Sequence, residues 1–482
     1  MRVPVRSLLV SSLAALPLCG CGVGGDGSPG HGVLLIAVES LRADHLSSYG
    51  YDRQTTPGLD ELAAGGVLFE RALAASPLRL PSHAALLTGS DPNLSRRMVP
   101  QWREATLDQA WNIPREVPRL AVELAVAGYR TAAFVDDPEL AGGFGFDAGF
   151  HTYVHGWEAD DPQARGIDSQ SFRLRQWLRG VDRDEDWFSF VHLADLERIW
   201  IEPDAMRDTY FEPRPELDMI PPVGGSDPCL FAIPPSRWLG GSFTLGQQEA
   251  RYDGSLRSLD ENLARLLRDL DADGRLENTT ICIVGSYGVQ FGEAGMLLDH
   301  GRLSAADLHV PWILKPAADR ALAGGVRVDS VASLCDVAPT LLELCGVPIP
   351  PRMLGLSQLA VARGEAEAPP REYAFASCAI QGGYAVFEHD WALEVVFPTE
   401  ASERLVEAWY GFTPEQPGEV LELHYRWFDD PYPALYGTPP RTTARARLRR
   451  AGSSWIGHVE NLRSEVQVAT PFFLPEAPED AP

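Results

Sequence analysis

Lysine is nearly missing from this chain of 482 residues: it occurs once, at Lys315, so the other basic residues among 41 are all arginine. Any mechanism that needs two lysines is thereby excluded. Positive charge is scarce altogether, with 67 acidic residues and a formal net charge of −26. Such a field repels phosphate backbones, so no nucleic acid is expected as a partner. The opening apolar run, Ser7 to Leu18, is about twelve residues, short of the roughly 20 that a transmembrane helix needs. Cysteine offers no metal-binding pattern either. Apart from Cys19 and Cys21, the chain holds Cys229, Cys282, Cys335, Cys345 and Cys378, an odd number without zinc-ligand spacing. One disulfide in an oxidising compartment stays open, but its pairing is not readable. Internal repeats are absent, and a 45% hydrophobic composition excludes disordered and collagen-like classes.

What is present begins with a segment of its own. Arg2 and Arg6 precede the apolar run, and Leu18-Cys19-Gly20-Cys21 follows it. This reads as a secretory signal over residues 1–20. The end of the run resembles a bacterial lipobox, which implies lipidation of Cys21, with an ordinary signal cleaved nearby as the alternative. Residues 21–32 (CGVGGDGSPGHG) suit a flexible tether between a lipid and a folded body. The expectation is an envelope protein anchored to a membrane outside the cytoplasm. Gly22 after the cysteine, where an Asp is absent, points by resemblance to the outer membrane in a diderm host.

Further along, short apolar runs alternate with amphipathic segments, the pattern of a mostly parallel sheet sandwiched by helices. Gly32 to Val38, Thr131 to Val135, Trp187 to Leu193, Thr280 to Val284 and Val310 to Leu314 read as strands. Helices are expected from Thr56, over Val117 to Gly128 with a terminal glycine, and over Leu256 to Leu270. Eight prolines between residues 201 and 240 predict a long irregular excursion. The expected α/β body runs over 33–365. After it the texture becomes aromatic and alternating, as in Tyr384 to Phe387 and Trp391 to Val396, which predicts a smaller antiparallel C-terminal domain over 366–470 and a disordered tail over 471–482. Trp391, Trp409, Trp427 and Trp455 can either bind a sugar or fill that domain's core.

The motifs then carry a resemblance. Leu34-Leu35-Ile36-Ala37-Val38-Glu39-Ser40-Leu41-Arg42-Ala43-Asp44-His45-Leu46, with Tyr49-Gly50-Tyr51 and Thr55-Thr56-Pro57, resembles the opening of the sulfatase family of the alkaline phosphatase superfamily. Pro81-Ser82-His83-Ala84-Ala85-Leu86-Leu87-Thr88-Gly89 is similar to that family's nucleophile helix. Ala127 to Ala132, Tyr252-Asp253-Gly254, His300-Gly301, Val310-Pro311 and Asp336 to Leu342 continue the series in order. The resemblance implies a large mixed sheet between helix layers, a small C-terminal sheet, and sulfuric-ester hydrolysis by a nucleophile beside a divalent cation.

The site residues depart from that pattern. Arg79 stands where the family's Cys, Ser or Thr nucleophile falls, and a guanidinium cannot attack an ester. Glu39 replaces the first metal-binding Asp, although the related phosphoglycerol transferases carry Glu there. Gly285-Ser286-Tyr287-Gly288 aligns with Ser-Asp-His-Gly, so Ser286 and Tyr287 occupy the later metal-ligand pair. In Phe190 to Glu197, which resembles the family's His-x-x-Asp-Pro-His segment, Glu197 replaces an anion-holding histidine. His300 and Arg302 are the retained cations, His300 being a leaving-group acid or a structural residue. Ser82 and Ser76 are nearby hydroxyls, with a helix-start role for Ser82 the main reading and a displaced nucleophile the other.

Two functional readings follow. One is a sulfatase-fold pseudoenzyme that acts by binding or scaffolding, with a glycan or a protein as its ligand, and needs no cofactor, since a divalent ion would face only Glu39. The other is a sulfate- or phosphate-ester hydrolase with a rearranged site and a divalent cation: calcium, manganese or magnesium. Under the first, Arg79 should lie against Glu39 in place of the metal, with Ser286 and Tyr287 completing the hydrogen bonds.

Overall fold

The computed structural model describes residues 29–92, 113–140, 144–155, 165–197, 210–214, 244–291, 298–320, 322–366, 369–378, 383–397, 421–427 and 447–456. The signal segment, Cys21, Cys229, Trp409, the tail and nearly all of the proline-rich stretch lie outside these residues, as does Gly292 to Gly295.

An eight-stranded sheet forms the body. Its strands are β1 (Gly32–Val38), β2 (Val67–Leu73), β3 (Arg130–Val135), β4 (Thr152–His155), β5 (Trp187–Leu193), β6 (Thr279–Gly285), β7 (Trp312–Lys315) and β8 (Val326–Ser333), in the order β4-β3-β5-β1-β6-β7-β2-β8. Only β7 runs antiparallel to its neighbours. The three central strands β5, β1 and β6 are buried at every position. Their mostly apolar sequences, buried without alternation, belong to strands covered on both faces. Gly32 opens β1 because a Cβ there would sit 2.4 Å from the Trp187 indole.

Helices α1 (Pro57–Ala64), α2 (Arg79–Thr88), α3 (Leu120–Val126), α4 (Gly166–Leu178), α5 (Leu245–Ala272), α6 (Ala305–Leu308), α7 (Val337–Leu344) and α8 (Leu359–Ala362) complete the body. The two faces of the sheet carry separate apolar clusters: Leu80, Leu86, Leu124 and Leu341 pack on one, Leu59, Leu174, Leu256 and Leu263 on the other. Helix α5 begins eleven residues before the expected Leu256, because Thr244 and Gln247 form a reciprocal capping box. Helix α3 is shorter than expected, and Gly128 beyond it takes a left-handed φ of 99°. Strands β2, β4 and β8 and helix α4 were not expected from the pattern. Charged residues interrupt β2 at Glu70 and Arg71, and β4 and the outer part of β8 lie at the edges with mixed exposure.

A second, four-stranded antiparallel sheet follows: β9 (Ala374–Cys378), β10 (Gly383–Phe387), β11 (Trp391–Val396) and β12 (Leu421–Arg426), in the order β12-β11-β10-β9. Trp427 is buried and donates from its indole nitrogen to the Glu388 carbonyl at 2.8 Å, and its ring meets Phe387 and His309. Trp391 and Trp455 pack on the other side of this sheet. Core packing therefore accounts for these three tryptophans. Cys282, Cys335, Cys345 and Cys378 are free thiols.

Candidate functional site

The carboxyl ends of β1, β5 and β6 lie side by side, with Val38 opposite both Leu193 and Gly285. Such strand ends are where open α/β sheets bind ligands. The next residues enter the site together: Glu39, held by its N–H to the Leu193 carbonyl at 2.9 Å, and Ser286, held likewise to Val38 at 2.9 Å. Helix α2 starts above them at Arg79.

Glu39 is completely buried, and its Oε1 accepts from Arg79 Nε at 2.6 Å and from His192 Nε2 at 3.0 Å. The expected contact between Arg79 and Glu39 is therefore present. Burial alone would raise this carboxyl, but Arg79 and then His192 outweigh it and hold it well below the usual carboxylate range. The guanidinium also meets Glu139 at 3.1 Å and Asp137 at 3.7 Å. Burial and the Glu39 charge push Asp137 up to about 6.

The two histidines beside Glu39 have opposite roles. His192 Nδ1 lies 3.3 Å from the Asp136 N–H and accepts from it, so Nε2 carries the proton donated to Glu39. His83 stands one turn after Arg79 on α2, with Nδ1 2.8 Å from the Arg79 carbonyl. A carbonyl only accepts, so Nδ1 carries the hydrogen and Nε2 keeps a lone pair. That Nε2 is buried and without a hydrogen-bond partner among the described residues, as is Glu39 Oε2. Burial, reinforced by His192, lowers His83 to about 3, so its ring is neutral.

The sequence reading placed Glu39 alone before a metal. The fold corrects this: one ligating atom each from Glu39, His83 and His192 lie within 4.8 Å of one another. It also corrects the roles of Ser286 and Tyr287. The Ser286 hydroxyl donates to the Val38 carbonyl at 3.3 Å and not to Glu39. The Tyr287 hydroxyl is buried and has no hydrogen-bond partner among the described residues, its ring packs on His300 at 4.4 Å, and burial raises its phenol well above 10.

The remaining residues take structural positions. His300 Nδ1 lies 2.7 Å from the Pro77 carbonyl and ties its loop to the entry of α2. Arg302 is buried and turned toward Glu394 of β11 at 3.9 Å. The Ser82 hydroxyl donates to the Ser286 carbonyl, and Ser76 Oγ accepts from the Leu78 N–H at 3.4 Å. Both serines are buried, so neither presents a free nucleophile. Glu197 accepts from the Ser40 hydroxyl, and Ser40 itself takes a left-handed φ of 55° at the turn out of β1.

Residues 31–347 match the sulfatase family model, about two thirds of the chain. The chain belongs to the sulfatase family. Among curated sulfatases, it is 24% identical over 394 residues to an arylsulfatase of Clostridium perfringens, covering 67% of this chain and 77% of that one. A sulfatase of Formosa agariphila is 24% identical over 366 residues, 65% of this chain and 69% of the relative. In fold the chain is similar to a phosphonate monoester hydrolase from Silicibacter pomeroyi, with a TM-score of 0.64 at 18% identity, covering 93% and 98% of the two chains.

Sulfatases typically use a divalent cation, and this donor set can be tested against one. Hard cations take six or more oxygen ligands. Here Glu39 has one free oxygen, Ser286 has turned away, and a guanidinium stands among the surrounding carboxylates. A hard, oxygen-liganded cation does not fit this arrangement. Sequence reasoning missed His83, His192, Asp137 and Glu139 as site residues. His83 was findable from its i, i+4 spacing to Arg79 on a helix, whereas His192 required knowing that β5 pairs with β1.

Proposed function

We propose that this sulfatase-family chain is a pseudoenzyme that has exchanged ester hydrolysis for ligand binding. The observation that carries the reading is the Arg79 guanidinium, seated on Glu39 at 2.6 Å where the family's nucleophile and cation would meet. A guanidinium neither attacks an ester nor polarises its oxygens as a Lewis acid. Glu197, at the position of an anion-holding histidine, opposes a sulfate or phosphate group. The decisive experiment incubates the purified protein with an aryl sulfate and an aryl phosphate, each with calcium, manganese or magnesium. No turnover above an Arg79→Ala control is expected. Metal-dependent turnover would overturn the reading in favour of a rearranged hydrolase.

The lipobox-like Leu18 to Cys21 supports a site of action in the bacterial envelope, with the body tethered to a membrane through Cys21 and facing away from the cytoplasm. Wild-type protein should stay with membranes in high salt and Cys21→Ala should be released. A Cys21→Ala variant that remains membrane-bound would refute lipid anchoring.

A further inference from the structure

Glu39 and His83 each bring a potential ligand atom within 4.8 Å of the other's, and each keeps one buried acceptor without a partner among the described residues. Glu39 Oε2 and His83 Nε2 are both lone-pair atoms, both fully shielded from solvent, and neither has a donor among the described residues. An unsatisfied acceptor in the interior is costly, so two on neighbouring side chains call for an occupant. The occupant must donate to both or accept electron pairs from both.

The hydrogen bonds around the pair resemble a prepared ligand shell. A metal-binding histidine usually donates its other ring N–H to a carbonyl, and a metal-binding carboxylate is itself hydrogen-bonded. His83 Nδ1–H donates to the Arg79 carbonyl at 2.8 Å, while the second oxygen of Glu39 is held by Arg79 and His192. His192 cannot ligate as it stands, because the Asp136 N–H occupies its Nδ1 lone pair and its Nε2 carries a proton. The Tyr287 hydroxyl, also buried and without a hydrogen-bond partner among the described residues, lies close enough to interact electrostatically with Arg79 and Glu39. Asp137 and Glu139, which the same guanidinium meets, offset its positive charge.

We infer that Glu39 Oε2 and His83 Nε2 bind a borderline divalent cation of the zinc or cobalt class, with Tyr287 and water completing a low coordination number and Arg79 and His192 as the outer hydrogen-bonding shell. An imidazole nitrogen and a single carboxylate oxygen select such ions over calcium and magnesium. The inference rests on the reading that hard-cation chemistry has been lost from this site, and it gives the cation a binding role.

The test uses metal-free full-length protein and titrates zinc, cobalt, calcium and magnesium separately by calorimetry, with bound metal measured after dialysis. One zinc or cobalt per chain is expected, with calcium and magnesium retained at far below stoichiometry. His83→Gln should weaken zinc at least 100-fold, and His192→Gln by roughly 10- to 100-fold as an outer-shell change. Thermal melts of both variants without metal establish that they fold. If wild-type protein holds no zinc or cobalt, or if folded His83→Gln binds as tightly as wild type, the site is refuted and the acceptors are bridged by water only. Zinc-dependent turnover of an aryl ester would instead support the site and overturn the pseudoenzyme reading. Zinc binding without turnover supports both.

Discussion

Replacing Arg79 by alanine tests whether the guanidinium is a structural substitute for a cation. In metal-free protein Glu39 is wholly buried and would keep only the His192 hydrogen bond at 3.0 Å after losing the 2.6 Å bond to Arg79. Removing one partner of a buried pair costs about 3–5 kcal/mol, since the other charge is left uncompensated. The lower end applies here, because His192 remains and Arg79 is itself 19% exposed. For a body of this size the loss corresponds to a Tm drop of roughly 4–8 °C. The pH dependence gives a second reading. In the wild type Glu39 titrates well below the usual range, so its contribution is complete above the unfolded carboxylate pKa and is lost only in strong acid. Without Arg79, burial dominates and raises the carboxyl, so the variant gains stability as pH falls and its deficit narrows from pH 7.5 to pH 5. Adding Glu39→Gln to the variant should recover part of the loss by removing the stranded charge. Urea denaturation at both pH values measures all three proteins. A variant within about 0.5 kcal/mol of wild type at pH 7.5, the range of an ordinary surface change, would refute the argument, as would a deficit independent of pH.

Asp336 is fully buried and accepts from the Ser333 and Leu356 N–H groups, Gln358 Nε2 and the Arg371 guanidinium. Asp336→Ala should therefore cost about 3–5 kcal/mol by stranding Arg371, and a urea midpoint near wild type would contradict this. Asp260 accepts from the Gly58 and Leu59 N–H groups at 2.8 Å each, capping the first turn of α1 from α5. Asp260→Ala should cost about 1–2 kcal/mol, as loss of a helix cap does. Burial pushes Asp260 up to about 6. A raised carboxyl holds its proton more tightly in the folded state, so wild type should gain stability relative to Asp260→Asn as pH falls from 7 to 5. A difference unchanged over that range would sink the assignment.

The sequence by itself determined the layers of this protein and which side chains stand at the family's motif positions. Short, mostly apolar runs such as Leu34 to Val38 and Trp187 to Leu193 read as strands covered on both sides, and the observed β1 and β5 follow them closely. That Arg79 cannot be a nucleophile and Ser286 carries no charge are properties of the side chains, independent of the fold. Strands β2 and β8 escaped the same reasoning because their burial comes from neighbours: Arg71 is buried inside β2 since Asp329 and the His389 carbonyl receive its guanidinium. Only the tertiary structure decided what stands beside Glu39. Residues 39, 83 and 192 are far apart in sequence, and their meeting follows from the β1–β5 register and the placement of α2 over the strand ends. Which nitrogen of each imidazole is free was equally illegible, because the tautomer is set by a backbone group: the Arg79 carbonyl at His83 and the Asp136 N–H at His192.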